Sequence, residues 1–253
     1  MKKIKLMSGI LLVALGLVLP INIAFAKVPI FYTPTLKAFG YKFTEWSAMW
    51  WQYVLSFPAT GNPLVDTTGA ECAIGQNGPV WFLMGSVAGT VTRTCSIPEG
   101  KALFFPVLNY VDINTTTQTA AELRAEIAVC FDPVPITGAP ITGSVGVTPQ
   151  MLLPPSYSVS VEVDGTPVVG WDKKGRIKST VFEVTLPADN FFGLNAGTYS
   201  PAIADGFYIM LKPLPVGPHK IHIIGQDGRV DVQACPANVD VTYDLTIVPV
   251  TLD

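Results

Sequence analysis

Two histidines, His219 and His222, are the first candidates for acid–base or metal chemistry in this 253-residue sequence. Both fall in a segment with strand-like alternation, where an offset of three residues places them on opposite faces. They therefore cannot chelate one metal ion together without a β-bulge. No G-x-S-x-G elbow supplies a nucleophilic serine, and no G-x-G-x-x-G loop or P-loop would hold a nucleotide. We expect no catalytic residue, no metal site and no cofactor of that kind.

Carboxylates offer the remaining route to catalysis. A glycoside hydrolase needs two carboxyl groups about 5–10 Å apart across the scissile bond. The acidic residues in turns or at helix starts are Glu45, Asp66, Glu71, Asp112 and Asp205. Nothing in their spacing brings a pair together, so a hydrolase acting on polysaccharide is the alternative hypothesis rather than the first.

Asn62 and Asp66 lie in a polar segment that ends in Thr67-Thr68-Gly69. Asp and Asn side chains in such segments accept hydrogen bonds from backbone N–H groups and stabilise turns. The same oxygens suit a hard cation, so calcium is a second interpretation, although the spacing matches no EF-hand loop. Both residues are kept as candidate binding residues.

Aromatic rings are concentrated in the first half of the chain. Exposed rings can stack on the apolar C–H faces of sugars, and Trp51, Trp81 and Trp171 are the candidate binding rings. Trp51 falls off the main apolar stripe of its predicted helix, and Trp171 lies in a turn beside Gly170. Trp46 and Trp50 fall on that stripe, which favours the core.

Four cysteines, Cys72, Cys95, Cys130 and Cys235, predict two disulfides in an oxidising compartment. Three pairings are open. Cys72–Cys95 with Cys130–Cys235 is favoured, because the first two are close in sequence and flank a predicted strand. A four-thiolate zinc site is disfavoured, since no two cysteines have the short spacing that such sites use.

The N-terminus has the features of a secretory signal peptide over residues 1–26. Lys2, Lys3 and Lys5 precede an apolar run from Ile10 to Leu19, and Ala24-Phe25-Ala26 gives the small-x-small cleavage pattern. The run is shorter than the roughly 20 residues of a membrane-spanning helix. We expect a mature chain 27–253, secreted or periplasmic, without a membrane span.

The charge balance bears on partners. Without the three lysines of the predicted signal, 13 basic and 19 acidic residues remain, a balance of −6. No basic run is present that could neutralise phosphates, which argues against a nucleic-acid partner. The low charged fraction of 14% suits an exported β protein.

Hydrophobic periodicity predicts two helices. The first covers Glu45–Ser56 with Thr44 as N-cap, and its apolar residues recur at helical spacing. The second covers Ala120–Val129, where Thr119 and Glu122 form a capping box.

The remaining apolar segments predict strands that alternate between a buried and an exposed face. Tyr157–Val163 and Val239–Val248 alternate most regularly, and Asp164-Gly165 predicts a hairpin turn. The other predicted strands are Val80–Met84, Val91–Cys95, Ala102–Leu108, Thr166–Val169, Ile177–Leu186, Gly206–Leu211 and His219–Ile224. We expect one mainly β domain over 27–253: an antiparallel β-sandwich of immunoglobulin-like or jelly-roll type, with an N-terminal aromatic helix and one further short helix.

Several short motifs resemble those of an uncharacterised group of exported bacterial β-sandwich proteins. They are Trp46-x3-Trp50-Trp51-Gln52, Asn62-Pro63, Asp66-Thr67-Thr68-Gly69, Gln76-x-Gly78-Pro79-Val80-Trp81-Phe82-Leu83, Leu103-Phe104-Phe105-Pro106-Val107 and Leu214-Pro215-x-Gly217-x-His219-x-Ile221. The resemblance spans most of the mature chain. It implies export and a sandwich, and it transfers no catalytic residue.

The functional expectation follows from scaffold features without a catalytic motif. We expect a secreted, non-enzymatic binding protein that recognises a glycan, a cell surface or another protein. Besides the hydrolase, a structural envelope component is an alternative, since an unpaired edge strand could be extended by a partner.

Overall fold

The computed structural model describes residues 30–87, 89–132, 157–227 and 238–250. The predicted signal peptide 1–26 and Cys235 lie outside these ranges. The helices are α1 (Phe43–Leu55), α2 (Ala120–Ala128) and the single turn α3 (Asp172–Gly175). The strands are β1 (Val80–Phe82), β2 (Thr90–Pro98), β3 (Ala102–Ile113), β4 (Tyr157–Val163), β5 (Thr166–Pro167), β6 (Arg176–Lys178), β7 (Phe182–Leu186), β8 (Gly197–Leu211), β9 (Gly217–Asp227) and β10 (Asn238–Val248). None of the helices in the described ranges has the length and apolar character needed to cross a membrane.

The strands form two five-stranded sheets. In the first, the order is β1-β3-β8-β6, with β7 also paired to β8; in the second it is β2-β10-β9-β4-β5. The chain is mainly β, as expected, but the wholly antiparallel arrangement was wrong, because β1 pairs with β3 and β2 with β10 in parallel. The chain passes from β1 to β2 in the other sheet before returning to β3, so β1 and β3 need no hairpin between them and can run in the same direction.

Two large cores lie on opposite faces of the first sheet, and a third, small cluster is formed by Leu123 and Ile127 of α2 with Ile203 of β8. Side chains from both sheets share one cluster, in which Phe105 and Ile209 of the first sheet join Ile221, Val241 and Tyr243 of the second. The other face of the first sheet packs against α1. The first sheet is therefore covered on both sides, and its strands β3 and β8 are buried almost throughout.

The ends of the helices follow from local hydrogen bonds. In α2, Thr119 accepts from the backbone N–H of Glu122 while the Glu122 carboxylate accepts from the backbone N–H of Thr119, which confirms the capping box. In α1 the N-cap is Lys42 rather than Thr44. The Glu45 carboxylate accepts from the backbone N–H of Lys42 at 2.8 Å, which moves the first turn two residues earlier than the apolar stripe indicates.

A disulfide joins Cys72 to Cys95 across 23 residues, which confirms the favoured first pairing. Cys130 is disulfide-bonded as well, and its expected partner, Cys235, is outside the described residues. Such bonds persist in oxidising compartments, which agrees with a location outside the cytoplasm.

Removing the Cys72–Cys95 bond is expected to lower the free energy of unfolding by about 3 kcal/mol, because the unfolded chain regains the entropy of an open loop. The measurement is urea unfolding of a variant with Cys72→Ser and Cys95→Ser together. A loss below about 1 kcal/mol would show that the bond does not restrain the segment that connects α1 to β2.

Candidate functional site

A cleft of about 600 Å³ lies beside α1, where β9 ends and β10 begins. Its lining comes from α1, β3, the ends of β9 and β10, and two connecting segments. The lining residues are Trp50, Trp51, Leu64, Gly85, Ser86, Val87, Gly89, Asn109, Tyr110, Val111, Phe191, Phe192, Asp227, Asn238 and Val239. A concave, largely apolar surface of this size with a few polar groups is typical of a small-molecule site.

One side of the cleft is built on a hydrogen-bonded aromatic group. The indole Nε1–H of Trp51 donates to the hydroxyl of Tyr208 at 3.1 Å, and the side-chain amide of Asn109 lies 3.3 Å from the same hydroxyl. Tyr208 is fully buried, and burial raises the pKa of its phenol, which keeps the hydroxyl neutral. The group fixes the orientation of Trp51 and Asn109, both of which reach the cleft.

One half-buried ring, Phe191, and one exposed ring, Phe192, lie on a segment held by a buried asparagine. The side-chain oxygen of Asn190 accepts from the backbone N–H groups of Phe192 and Leu194 at 3.1 and 3.0 Å, and its amide donates to the carbonyl of Pro187 at 2.9 Å. Asn190 is 5% exposed, whereas Phe192 is 40% exposed. A buried polar side chain with its hydrogen bonds satisfied positions the segment, so Phe191 and Phe192 are presented by a supported turn.

The charged group of the cleft is the carboxylate of Asp227, at the end of β9. It accepts a hydrogen bond from the hydroxyl of Tyr110 at 3.2 Å. No lysine, arginine, histidine or second carboxylate lines the cleft among the residues that the structure describes. Among the described residues, the lining therefore combines aromatic side chains with the carboxylate of Asp227.

The three predicted binding tryptophans do not provide exposed rings. Trp51 lines the cleft but is only 8% exposed. Trp81 is buried in the core between the sheets, where its indole N–H has no hydrogen-bond partner among the described residues. The exposed ring expected at Trp171 was wrong: the ring is 2% exposed and lies against Gly175, where a Cβ would be 2.8 Å from it.

Asn62 and Asp66 both stabilise the segment between α1 and β1. Asn62 is fully buried; its amide donates to the carbonyl of Val54 at 2.9 Å and its oxygen accepts from the backbone N–H of Leu64 at 2.9 Å. These bonds account for Asn62 without a ligand. It does not line the cleft, and neither does Asp66.

The Asp66 carboxylate is occupied by the turn that it forms. Its two oxygens accept from the backbone N–H groups of Thr68, Gly69 and Glu71 at 2.8, 2.9 and 3.0 Å. Partial burial opposes the charged form, but these hydrogen bonds outweigh it and lower the pKa of Asp66. The geometry gives calcium no support, and the described residues contain no group of three acidic, histidine or cysteine side chains that could hold a metal ion.

Asp66→Asn is expected to lower the free energy of unfolding at pH 7 by about 1 kcal/mol, a value limited by the exposure of the carboxylate. Because the folded-state pKa is lowered, the contribution of Asp66 is present above the unfolded-state pKa of about 3.9 and is lost as pH falls through the folded-state value. Urea unfolding between pH 7 and pH 2 measures both effects. Asp172→Asn, at an exposed position, is the control. If the free energy of unfolding of Asp66→Asn depended on pH as that of the parent protein does, this role of Asp66 would be contradicted.

Both histidines pair with aspartates. Nδ1 of His219 lies 2.8 Å from Oδ2 of Asp164, and Nε2 lies 2.9 Å from the carbonyl of Pro215. Nε2 of His222 lies 2.9 Å from Oδ1 of Asp240. Each pair links neighbouring segments of the second sheet, and no serine hydroxyl is hydrogen-bonded to either ring in the described ranges.

The other candidate carboxylates are engaged elsewhere. Asp205 is 1% exposed and forms an ion pair with Arg176 at 2.8 Å. Arg176 also forms an ion pair with Asp132. Burial, followed by the charge of Glu126, raises the pKa of Asp112. Asp112 and Glu126 lie close together, but neither lines the cleft.

Sequence reasoning missed most of the cleft, since Trp51 is its one predicted member. Asn109, Tyr110 and Asp227 come from strand ends far apart in sequence. The Asn190-Phe191-Phe192-Gly193 segment did carry a signal: two adjacent aromatic residues between turn formers indicate a turn at the surface, where Phe192 is exposed.

No known family model matches this chain, and no curated protein sequence matches it. Among solved structures, the cysteine protease inhibitor EhICP2 from Entamoeba histolytica is similar at 13% identity, with a TM-score of 0.23 over 67% of this chain and 96% of the inhibitor chain. At that TM-score the similarity carries no inference about fold or function.

Proposed function

We propose that this chain is an exported binding protein that holds a ligand group in the cleft beside α1. The observation that carries the proposal is the convergence, in one cleft of about 600 Å³, of the aromatic side chains of Phe191, Phe192 and Tyr110 with the carboxylate of Asp227. Residues 1–26 would act as a cleaved signal, and the two sheets around their shared core would form a β-sandwich of immunoglobulin-like or jelly-roll type.

The composition of the cleft favours binding over hydrolysis. A glycoside hydrolase places two carboxyl groups on either side of the bond that it cleaves, whereas Asp227 is the single carboxylate among the described lining residues. Ring faces and scattered hydrogen-bonding groups such as Asn109 and Asn238 bind a ligand without activating water. Glycan rings pack on such faces, and so do other groups with apolar surfaces.

The support under the cleft suits a preformed site. Trp51, Asn109 and the Asn190 segment are each fixed by hydrogen bonds to buried groups. A site fixed before binding loses little conformational entropy when a ligand enters. The ligand should therefore bind without a large rearrangement of the described residues.

The test is binding by the mature chain 27–253, screened on a glycan array and by thermal shift against sugars, amino acids and alkylammonium salts. Phe192→Ala removes an exposed ring of the cleft. Phe39→Ala is the matched control, because Phe39 is 39% exposed and does not line the cleft.

We expect Phe192→Ala to weaken binding about tenfold and Phe39→Ala to leave it unchanged, which corresponds to the loss of about 1.4 kcal/mol of ring contact. Equal effects of both substitutions, or no ligand in either screen for a folded protein, would overturn the proposed function.

A further inference from the structure

We propose that His219 is a proton-dependent clamp: its imidazolium form joins the connection between β8 and β9 to the turn between β4 and β5. A largely apolar pocket of about 490 Å³ lies at this place, and Asp164, Pro215 and His219 all line it. The pocket shares no lining residue with the cleft beside α1, so the inference is independent of the proposed function. The clamp fixes two walls of this pocket against each other.

The protonation state of the clamp follows from the two hydrogen-bond partners of the ring. Nδ1 of His219 lies 2.8 Å from Oδ2 of Asp164, and Nε2 lies 2.9 Å from the carbonyl oxygen of Pro215. A carboxylate and a carbonyl only accept hydrogen bonds, so both ring nitrogens must carry a proton. A neutral imidazole has one N–H and makes one of the two bonds. The complete arrangement therefore belongs to the imidazolium.

Asp164 is ionised wherever histidine titrates. Its Oδ1 accepts from the backbone N–H of Lys220 at 2.8 Å. Partial burial opposes the charged form, but the hydrogen bonds from Lys220 and His219 outweigh it and lower the pKa of Asp164. The carboxyl group therefore holds no proton between about pH 5 and 8, the range in which histidine side chains change charge.

No second charge lies against the ring among the described lining residues, where Asp164 and His219 are the titratable groups. The nearby charged side chains on the surrounding strands do not line the pocket: Glu162, Lys212, Lys220 and Asp244. The ammonium of Lys220 pairs with Asp244, and Glu162 follows the alternation of β4 to the face opposite Val163. Asp164 is therefore the charged group that the ring meets.

The bond to Pro215 is the one hydrogen bond that residues 213–216 make within the described part of the chain. When the ring loses a proton, the remaining N–H stays with the Asp164 carboxylate, because a charged acceptor forms the stronger bond. The Pro215 carbonyl then faces a nitrogen lone pair instead of a donor. Deprotonation therefore releases the pocket wall that carries Leu214.

The other histidine, His222, is a matched control in the same strand. Its Nε2 lies 2.9 Å from Oδ1 of Asp240, and its Nδ1 has no hydrogen-bond partner among the described residues. A neutral ring with its proton on Nε2 keeps this bond. Loss of a proton from His222 therefore breaks no hydrogen bond.

NMR of the mature chain 27–253 at pH 5.5 and pH 8 tests the clamp directly through the ring nitrogens and the backbone amides. We expect two N–H groups on His219 at pH 5.5 and one, on Nδ1, at pH 8. The order parameters of the Leu214 and Val216 amides should fall over the same range. A single N–H on His219 at pH 5.5, or unchanged order parameters, would overturn the inference.

Urea unfolding of His219→Gln and His222→Gln at the same two pH values provides a second measurement. The clamp needs a proton, so it stabilises the fold at low pH and is lost as pH rises. We expect the folding equilibrium constant of the parent protein to fall about tenfold from pH 5.5 to pH 8 relative to that of His219→Gln. His222→Gln should retain most of the parent's pH dependence. Equal losses of pH dependence in the two variants would overturn the assignment to His219.

Discussion

Replacing Arg93 with methionine is expected to lower the free energy of unfolding by about 4 kcal/mol. Arg93 is 1% exposed, and its guanidinium donates to the carbonyls of Asp66, Met84 and Gly85 at 2.7, 3.0 and 2.9 Å. It also donates to the Tyr243 hydroxyl at 2.8 Å. Methionine retains the apolar stem, but it leaves the carbonyls of Asp66 and Gly85 without this donor, while the Met84 carbonyl keeps the Tyr243 hydroxyl as a donor at 3.0 Å.

The same substitution should also loosen the two segments that carry Leu64 and Gly85 in the wall of the cleft. Arg93 also donates to the carbonyl of Leu64 at 3.3 Å, and Leu64 and Gly85 both line the cleft. Urea unfolding measures the free energy of unfolding. Arg124→Met is the control, because Arg124 on α2 donates one hydrogen bond among the described residues, to the Ser179 carbonyl. A loss for Arg93→Met no greater than for Arg124→Met would show that the buried guanidinium does not hold these segments together.

Gly225→Ala is expected to destabilise the protein by about 3 kcal/mol or more. A Cβ at Gly225 would lie 1.9 Å from the carbonyl oxygen of Val107 and 2.8 Å from its carbon. Both groups are backbone, one in β9 and the other in β3, so no side chain can move aside. The two sheets would have to separate at the place where β3 changes register between Pro106 and Leu108.

Thermal or urea unfolding of Gly225→Ala checks this expectation. Gly165→Ala is the control: Gly165 has a φ of 70° but open space around its Cβ position, so it should cost about 1 kcal/mol from backbone strain alone. A Gly225→Ala protein as stable as Gly165→Ala would mean that the sheets do not approach this closely.

Local patterns in the sequence predicted the elements that local forces determine. The β4 strand has the bounds and the inward side chains expected from its alternation, and the Asp164-Gly165 turn has positive φ at both residues, as a tight hairpin requires. The α2 capping box was confirmed for the same reason. Each of these features depends on residues within a few positions of one another.

Contacts between distant segments were the main source of error. The parallel pair β2–β10 joins residues some 150 positions apart, so no turn sequence between the two strands predicts their pairing. The expected strand Ile177–Leu186 is divided into β6 and β7, because the backbone N–H of Thr180 donates to the Thr44 carbonyl at the start of α1 instead of continuing a ladder. Such partners are set by tertiary packing.

Arg93 shows a signal that was present but not used. In the alternating segment Thr90–Pro98 it shares a face with Val91, Cys95 and Ile97, all buried. Period-two alternation therefore placed a charged side chain in the interior, where it needs several acceptors. The acceptors themselves lie in segments whose approach the sequence does not reveal.

The most direct test of the cleft is an NMR titration of the mature protein with each sugar, amino acid or alkylammonium salt of the binding screen, following the indole Nε1–H resonances of its five tryptophans. Trp50 and Trp51 line the cleft, whereas Trp46, Trp81 and Trp171 do not. The account predicts saturable shifts for the Trp50 and Trp51 signals and unchanged signals for the other three. Saturable shifts confined to Trp46, Trp81 or Trp171, or no saturable shift in any of the five, would contradict it.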